Sequence, residues 1–153
     1  PNTITQRMEG PACSGTISMD ISHMKDGDVA GFSAFNGDSG LLSIIMDGNK
    51  KYLTMSTNVV ELNDSDKAIL KVDAVEEERI GLDQNMIYLR IDCDFSQHRD
   101  LATFYYSLDN RKWIKVGQDF KMKFDFTKFF IFNYATKTKG GYVDIDFFHY
   151  KKK

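Results

Sequence analysis

The feature that most constrains this chain is its hydrophobic pattern, which has the two-residue period of β-strands along almost its whole length. Alternate side chains of a strand point to opposite faces, so this period predicts half-buried strands with one apolar and one polar face. No amphipathic helical stretch of ten or more residues stands out. Only segments 21–26 and 125–128 are expected to form a single helical turn each.

Turn-forming residues separate the apolar runs. Asp26-Gly27, Asp47-Gly48, Asp109-Asn110 and Gly140-Gly141 each lie between two such runs, and Asn and Gly tolerate the positive φ of tight hairpins. Many short strands with regular turns predict two packed antiparallel sheets. We therefore expect an all-β fold, one antiparallel jelly-roll β-sandwich over residues 1–150 with a basic tail at 151–153. The predicted strands are 3–8, 16–21, 29–35, 41–46, 51–55, 59–62, 68–75, 86–93, 102–108, 112–116, 129–134 and 142–148.

Composition excludes several classes of function. The 153 residues suit one domain, and a net charge of -2 without a basic cluster argues against nucleic acid as a partner. No apolar run reaches the length of a membrane span. The chain begins at Pro1 without a signal peptide, so we expect it to come from a longer polypeptide. Cys13 and Cys93 are too few for a disulfide scaffold, and the sequence leaves open whether they pair or stay free.

Aromatic residues form 13% of the chain, which favours carbohydrate as a ligand. A ring can stack on the C–H face of a sugar while neighbouring polar groups bond its hydroxyls. Alternation places Tyr105 and Tyr106 on opposite faces, so one of them is expected to face outward. The candidates for sugar stacking are Trp113, Tyr105, Tyr106, Tyr134, Tyr142 and Tyr52; the phenylalanines expected in the core include Phe124, Phe126, Phe130, Phe132 and Phe147.

Trp113 has two interpretations. It follows the Asp109-Asn110 turn, so it can pack across the hairpin onto the strand that holds Tyr105 and Tyr106. Alternatively, it is an exposed platform for a sugar ring. Packing across the hairpin is the commoner outcome for such a residue.

Acidic pairs raise a catalytic and a metal alternative. Asp92 with Asp94, and Asp144 with Asp146, share strand faces at roughly 7 Å, near the carboxylate spacing of inverting glycosidases. Neighbours on one strand point in parallel, however, so solvated carboxylates are the simpler interpretation. A structural calcium ion held by Asp144, Asp146 and Glu9 is a second interpretation, because calcium prefers clustered oxygen ligands. No other cofactor is expected.

Several segments together resemble the C-terminal β-sandwich of family 43 glycoside hydrolases, which include β-xylosidases and arabinofuranosidases. The likeness spans nearly the whole chain, although Asn110 stands where that family's hairpin usually has Gly. The similar segments are 2–7 (NTITQR), 10–11 (GP), 13–16 (CSGT), 24–31 (MKDGDVAG), 34–35 (AF), 105–109 (YYSLD) with Trp113 and Gly117, 132–136 (FNYAT) and 140–148 (GGYVDIDFF).

This resemblance implies a concanavalin A-like jelly roll without catalysis of its own, joined to a five-bladed propeller catalytic domain. It implies a secreted or periplasmic bacterial protein that binds xylan or xylo-oligosaccharides, with Arg7 and Gln6 among the groups bonding hydroxyls. In that family a loop of the sandwich can supply an aromatic residue to the active-site rim. The matching loop here, 22–28, carries Met24 and Lys25 instead.

Two alternatives to sugar binding remain. The domain can be purely structural, bracing the propeller and shaping the rim of its active site. It can also be an independent concanavalin-like glycosidase, although the Glu-rich strand motif of that class is absent.

Overall fold

Two antiparallel sheets make up the computed structural model, which describes residues 2–36, 38–62, 69–122, 127–137 and 139–153. One short 3-10 helix, Ser96–His98, is the one helical element in these ranges. The strands are β1 Asn2–Arg7, β2 Ala12–Asp20, β3 Asp28–Asn36, β4 Asp38–Asp47, β5 Lys50–Leu62, β6 Ile69–Leu82, β7 Met86–Asp94, β8 Leu101–Ser107, β9 Ile114–Lys115, β10 Phe120–Lys121, β11 Lys128–Ala135 and β12 Asp144–Lys152.

The strand order defines the two layers. The first sheet runs β1-β11-β3-β4-β5-β6, and the second runs β10-β8-β7-β2-β12 with β9 beside β8. Every described pairing is antiparallel. The predicted sandwich is therefore confirmed. No helix in the described ranges has the length and apolar character needed to cross a bilayer.

The core lies between the two sheets and follows the predicted alternation. In β7 the residues alternate strictly between buried and half-buried, with Ile87, Leu89 and Ile91 facing inward. Phe32 of the first sheet and Phe104 of the second are the largest fully buried side chains together with Phe129. Burial of such apolar surface contributes about 25 cal/mol per Å² and holds the layers together.

Several strand boundaries differ from the prediction. Segments 51–55 and 59–62 are parts of one strand, β5, and β6 extends well beyond residue 75. Segment 21–26 forms turns and no helix, while in segment 125–128 the first two residues lie outside the described residues and Lys128 begins β11. The closing lysines are not simply a tail, because Lys151 and Lys152 pair with Ser14 and Cys13 at the end of β12.

The prediction that five phenylalanines lie in the core is wrong for three of them. Phe130 and Phe132 alternate with the buried Phe129 and Ile131, so they lie on the outer face of the first sheet. Phe147 lies on the outer face of the second sheet, because a β-bulge between Ile145 and Phe147 shifts the alternation by one residue. The remaining two, Phe124 and Phe126, fall outside the described residues.

The two cysteines face each other across β2 and β7. Cys13 is opposite Cys93 in the register, both thiols are free, and both are buried in the core. The Cys93 thiol donates a hydrogen bond to Cys13 and is also desolvated, and both effects raise the pKa of Cys93.

Candidate functional site

A pocket lies at the end of the sandwich where the loop 22–28 meets segment 136–143. Its volume is about 180 Å³. An apolar cavity of about 150 Å³ accommodates benzene, so this pocket has room for one six-membered ring. The residues that matter most for its chemistry are Met24, Asp28, Asn133, Tyr134, Tyr142 and Val143.

Asp28 supplies the pocket with an unpaired carboxylate oxygen. The side chain is buried, and its Oδ2 accepts a hydrogen bond from the Lys25 backbone N–H at 2.8 Å. The other oxygen, Oδ1, is buried and has no hydrogen-bond partner among the described residues. An unsatisfied buried acceptor costs roughly 1–3 kcal/mol, so a ligand hydroxyl that reached Oδ1 would regain that energy.

Glycine at the tip of segment 136–143 makes this arrangement possible. Gly140 has a φ of 103°, which other residues rarely adopt. A Cβ on Gly141 would collide with Asp28 Oδ2 and would lie 2.8 Å from the Lys25 nitrogen. The backbone at Gly141 can therefore approach the Lys25–Asp28 turn closely only because Gly141 lacks a side chain.

Hydrogen bonds hold the two segments together around the pocket. The Thr136 backbone N–H and hydroxyl both donate to the Gly27 carbonyl, at 3.0 and 2.6 Å. The Tyr142 N–H donates to the His23 carbonyl at 3.2 Å. Asp26 accepts from the Gly48 N–H, and this bond, with the Lys137 ammonium second, lowers the pKa of Asp26. The pocket walls are thus fixed by backbone contacts.

Two half-exposed tyrosines flank the pocket. Tyr134 is 48% exposed and stacks at 6.2 Å on Phe132, while Tyr142 is 49% exposed and stacks at 4.6 Å on His23. A tyrosine ring that stacks on a second ring is held in place by that contact, while the rest of its surface stays accessible. Both residues were predicted as sugar-stacking candidates, and the structure brings them to one pocket.

Tyr52 lies on the same outer face as Tyr134, three strands away. The register places Tyr134, Val29, Ile45 and Tyr52 in one row across β11, β3, β4 and β5. At about 4.8 Å per strand this row spans roughly 14 Å. The Tyr52 ring is covered by the Arg79 guanidinium at 5.1 Å, so it is less free than Tyr134.

The outer face of the second sheet carries a different aromatic group. The Arg90 guanidinium lies 4.4 Å from the Tyr105 ring centroid and 4.6 Å from that of Trp113. Trp113 therefore packs onto the sheet next to Tyr105, and the Arg90 side chain contacts both rings. This arginine was not identified from the sequence. We call the three residues Arg90, Tyr105 and Trp113 the arginine clamp.

The other predicted sugar-binding residues lie elsewhere. Tyr106 points into the core and is buried, so of the pair only Tyr105 faces outward. Gln6 and Arg7 lie at the end of β1 that pairs with Lys128 and Phe129. This is the opposite end of β11 from Tyr134, roughly 20 Å away at strand spacing. The structure does not bring Gln6 and Arg7 to the pocket.

The acidic residues considered for calcium do not form a ligand cluster among the described residues. Glu9 accepts a hydrogen bond from the Tyr150 hydroxyl at 3.3 Å and pairs with the Lys152 ammonium at 3.7 Å. Asp144 and Asp146 are exposed on β12. A calcium ion at Glu9, Asp144 and Asp146 stays a prediction without geometric support.

The carboxylates of β7 are engaged by neighbouring groups. Asp92 lies 3.3 Å from Arg90 Nε. Asp94 accepts from the Ser96 hydroxyl and N–H and pairs with Arg99, and these contacts lower the pKa of Asp94 to about 2. A glycosidase acid needs a raised pKa, so this strand lacks the features of a hydrolytic acid–base pair.

Two facing antiparallel sheets that enclose one core define an all-β sandwich domain. The chain belongs to the family described as "Beta xylosidase C-terminal Concanavalin A-like domain", which matches residues 1–151. This family is the accessory, non-catalytic C-terminal domain of GH43 glycoside hydrolases, as the sequence resemblance implied.

Relatives support this assignment and are much longer than this chain. A curated beta-xylosidase from Formosa agariphila is 25% identical over 97% of the chain, which spans 23% of that protein. A solved "Bifunctional GH43-CE" structure from Bacteroides eggerthii is 38% identical with a TM-score of 0.85, over 99% of this chain and 19% of that one. A GH43 enzyme engineered for endo-xylanase and exo-arabinofuranosidase activity is 30% identical with a TM-score of 0.86, over 98% of this chain and 31% of its own.

Sequence reasoning missed Asp28, His23 and Arg90. Asp26-Gly27 was correctly interpreted as a turn, but nothing in the sequence separates the half-exposed Asp26 from the buried Asp28. Arg90 alternates with apolar residues in β7, which indicates an outward side chain. Its position between two rings depends on the register of β7 with β8, and this register is not readable from local pattern.

Proposed function

We propose that this domain binds xylan or xylo-oligosaccharides for a GH43 hydrolase, through the pocket flanked by Tyr134 and Tyr142. The whole protein is proposed to be secreted or periplasmic, with the GH43 catalytic domain in the same polypeptide. The observation that carries the proposal is the buried Asp28 Oδ1, which no described residue pairs with, in a pocket of about 180 Å³ between two half-exposed tyrosines.

The chemistry of the pocket matches a pentose. Tyr134 and Tyr142 offer ring surface to the C–H faces of the sugar, and the carboxylate and the Asn133 amide offer polar partners to its hydroxyls. A hydroxyl that donates to an ionised carboxylate forms a charge-assisted hydrogen bond. With so few contacts against a mobile sugar chain, affinity is expected in the micromolar to millimolar range.

Titration calorimetry with xylohexaose, together with affinity electrophoresis in xylan, tests the proposal. Tyr142→Ala is expected to weaken binding roughly tenfold, as for an aromatic hot spot. Asp28→Asn keeps an oxygen for the Lys25 N–H but removes the charge, and is expected to weaken binding by a similar factor. Leu108→Ala, at an exposed residue of the hairpin after β8, is the matched control and should bind as the unmodified protein does.

Unretarded migration of the folded protein in xylan, with no heat of binding to xylohexaose, would remove the binding role. Binding that survived both Tyr142→Ala and Asp28→Asn would remove the pocket as its site. Circular dichroism and thermal melting of each variant separate lost binding from lost folding.

A structural role is the second candidate, favoured by an apolar edge. Ile4 of the edge strand β1 is 62% exposed and lines a shallow hollow with Ile131, Val143 and Ile145. Because β1 and β12 are the edge strands of their sheets, this hollow lies where the sandwich is open at one side. An apolar patch of this kind is typical of a surface that packs on another domain.

Analytical ultracentrifugation distinguishes the structural role. If the edge normally packs on a catalytic domain, the isolated chain is expected to self-associate, and Ile4→Lys should return it to a monomer. Self-association without xylan binding would favour bracing over sugar binding.

A further inference from the structure

We propose that the arginine clamp on the second sheet is a separate binding site for a saccharide that carries a carboxylate, such as a uronic acid substituent. The clamp lies on the outer face of β7 and β8, on the opposite layer from the pocket. It does not depend on the pocket being the xylan site.

The two rings fix the guanidinium of Arg90. Tyr105 and Trp113 lie 4.4 and 4.6 Å from its central carbon. Stacking on two rings limits its motion, so the guanidinium gives up little further side-chain entropy when it binds a partner. A planar cation held in this way is prepared for a planar ligand.

The ion pair of Arg90 with Asp92 leaves its hydrogen-bond donors available. Nε is buried and lies 3.3 Å from Asp92 Oδ1, but the two are not aligned as a hydrogen bond. The terminal nitrogens have no hydrogen-bond partner among the described residues and are not buried, so they stay accessible to an acceptor on a ligand.

The geometry favours a carboxylate over other acceptors. Two parallel N–H groups of guanidinium match the two oxygens of a carboxylate, which is the strongest pairing available to arginine. Asp92 already balances part of the positive charge, so a monoanion fits better than a phosphate dianion. Lys115 nearby on β9 is paired with Asp119 at 2.9 Å and adds little net charge.

The surroundings favour a saccharide over a simple anion. Thr16 of β2 is opposite Arg90 in the register, and Thr103 lies two residues from Tyr105 on the same face of β8. The Thr103 hydroxyl donates to Asp119 at 3.2 Å and can still accept a hydrogen bond from a sugar hydroxyl, and the Thr16 hydroxyl is a second polar group beside the clamp. The edges of Tyr105 and Trp113 give apolar contact to the sugar ring.

The test compares two probes that carry the same sugar rings: xylotetraose substituted with one glucuronic acid, and the same compound with its carboxylate reduced to the neutral alcohol. Calorimetry and amide chemical-shift mapping at low salt should show roughly tenfold tighter binding of the acidic probe, the size expected of a charge-assisted pair. The shifts should centre on Arg90, Tyr105 and Trp113. Raising the salt to 0.5 M should remove most of the advantage.

Arg90→Lys and Arg90→Gln test the clamp directly. Arg90→Gln should remove the preference for the acidic probe, and Arg90→Lys should lose most of it because ammonium cannot form the two parallel bonds. If Arg90→Gln does not fold, Arg90→Lys keeps the charge and carries the test. Tyr142→Ala should leave the preference unchanged, since that residue lies at the pocket.

Three results would overturn the proposal. The first is equal affinity for the two probes. The second is a preference for the acidic probe that persists in folded Arg90→Gln and Arg90→Lys. The third is that sodium acetate displaces the bound acidic probe as well as the acidic saccharide does at the same carboxylate concentration. Loss of all binding in Tyr142→Ala, including the acidic preference, would assign both probes to the pocket and leave the clamp without a ligand. Failure of xylan binding at the pocket alone leaves the clamp standing.

Discussion

The pocket and the arginine clamp each contain two aromatic side chains, but the accessible surface of these rings differs between the two regions. Tyr134 and Tyr142 are supported from behind by Phe132 and His23, and about half of each side chain stays accessible. In the clamp, the faces of Tyr105 and Trp113 are occupied by the Arg90 guanidinium. A cation over an aromatic residue on an outer strand face thus reduces the ring surface that is left for sugar stacking.

The largest effect is expected from closing the pocket. Gly141→Ala places a methyl group against Asp28 Oδ2 and the Lys25 nitrogen, and such overpacking costs about 2 kcal/mol. We expect lower stability in urea and loss of xylohexaose binding, with the amide shifts of β7 and β8 unchanged. Shifts that moved at the clamp as well would mean that the two regions are not independent.

Gly81→Ala is the matched control for this substitution. Gly81 lies in a strand, and a Cβ there meets no atom within 4 Å. Stability should therefore stay within about 0.5 kcal/mol, which is usual for surface substitutions.

The next largest effect is expected in the clamp. Trp113→Ala removes one of the two rings on Arg90, and cation–π contacts contribute about 1 kcal/mol when they are partly buried. Urea denaturation should show that loss, while Tyr134→Ala should cost less because its ring is half exposed. Equal costs for the two substitutions would contradict the contrast between a packed and an accessible aromatic residue.

A smaller effect is expected at the far end of the row that runs from the pocket across the first sheet. If a xylan chain follows this row over roughly 14 Å, Tyr52→Ala should weaken xylohexaose about threefold, a modest loss for a peripheral contact. Xylobiose, which is too short to reach both ends, should bind equally to both proteins. If Tyr52→Ala weakened the binding of xylohexaose and xylobiose equally, the xylan chain would not follow this row.

The smallest effect concerns acid stability. The pKa of Asp94 is lowered to about 2, first by the Ser96 hydroxyl, then by the Ser96 N–H and Arg99. Because this value is below that of the unfolded chain, ionised Asp94 stabilises the fold above about pH 4, and this contribution is lost as the pH falls toward 2. The pKa of Asp26 beside the pocket is lowered too, first by the Gly48 N–H and then by Lys137, so acid should also weaken these contacts.

Comparing Asp94→Asn with the unmodified protein checks this titration. The stability difference between them in urea should be largest near pH 6 and shrink steadily below pH 4. A difference that stays constant between pH 6 and pH 2 would show that the charge of Asp94 is not what stabilises the fold.

The sequence predicted the fold well because alternation is a local signal. β7 follows the predicted limits closely, and the Asp47-Gly48 and Asp109-Asn110 turns have positive φ at Gly48 and Asn110 as expected. Tyr134 and Tyr142 were named from the sequence as candidates for sugar stacking, and both are half-exposed in the structure. Whether either binds sugar stays a prediction.

What failed depended on contacts between distant segments. Phe147 was expected inside, but the bulge in β12 turns it outward and sends Phe148 and Tyr150 toward the core. Asp28 and Arg90 became visible only through neighbours on other strands or loops. A strand pattern gives the face of a residue, whereas the partner across the sheet decides what that residue can do.

The facing thiols of Cys13 and Cys93 are buried, so their reactivity can be used to measure transient opening of the sandwich. Both sulfur atoms lie between the layers on neighbouring strands, beyond the reach of any reagent while the sheets stay closed. A thiol reagent can modify them only during the brief intervals when β2 separates from its surroundings, so the labelling rate measures how often the core opens. The protein thus contains a probe of its breathing motions that needs no introduced label.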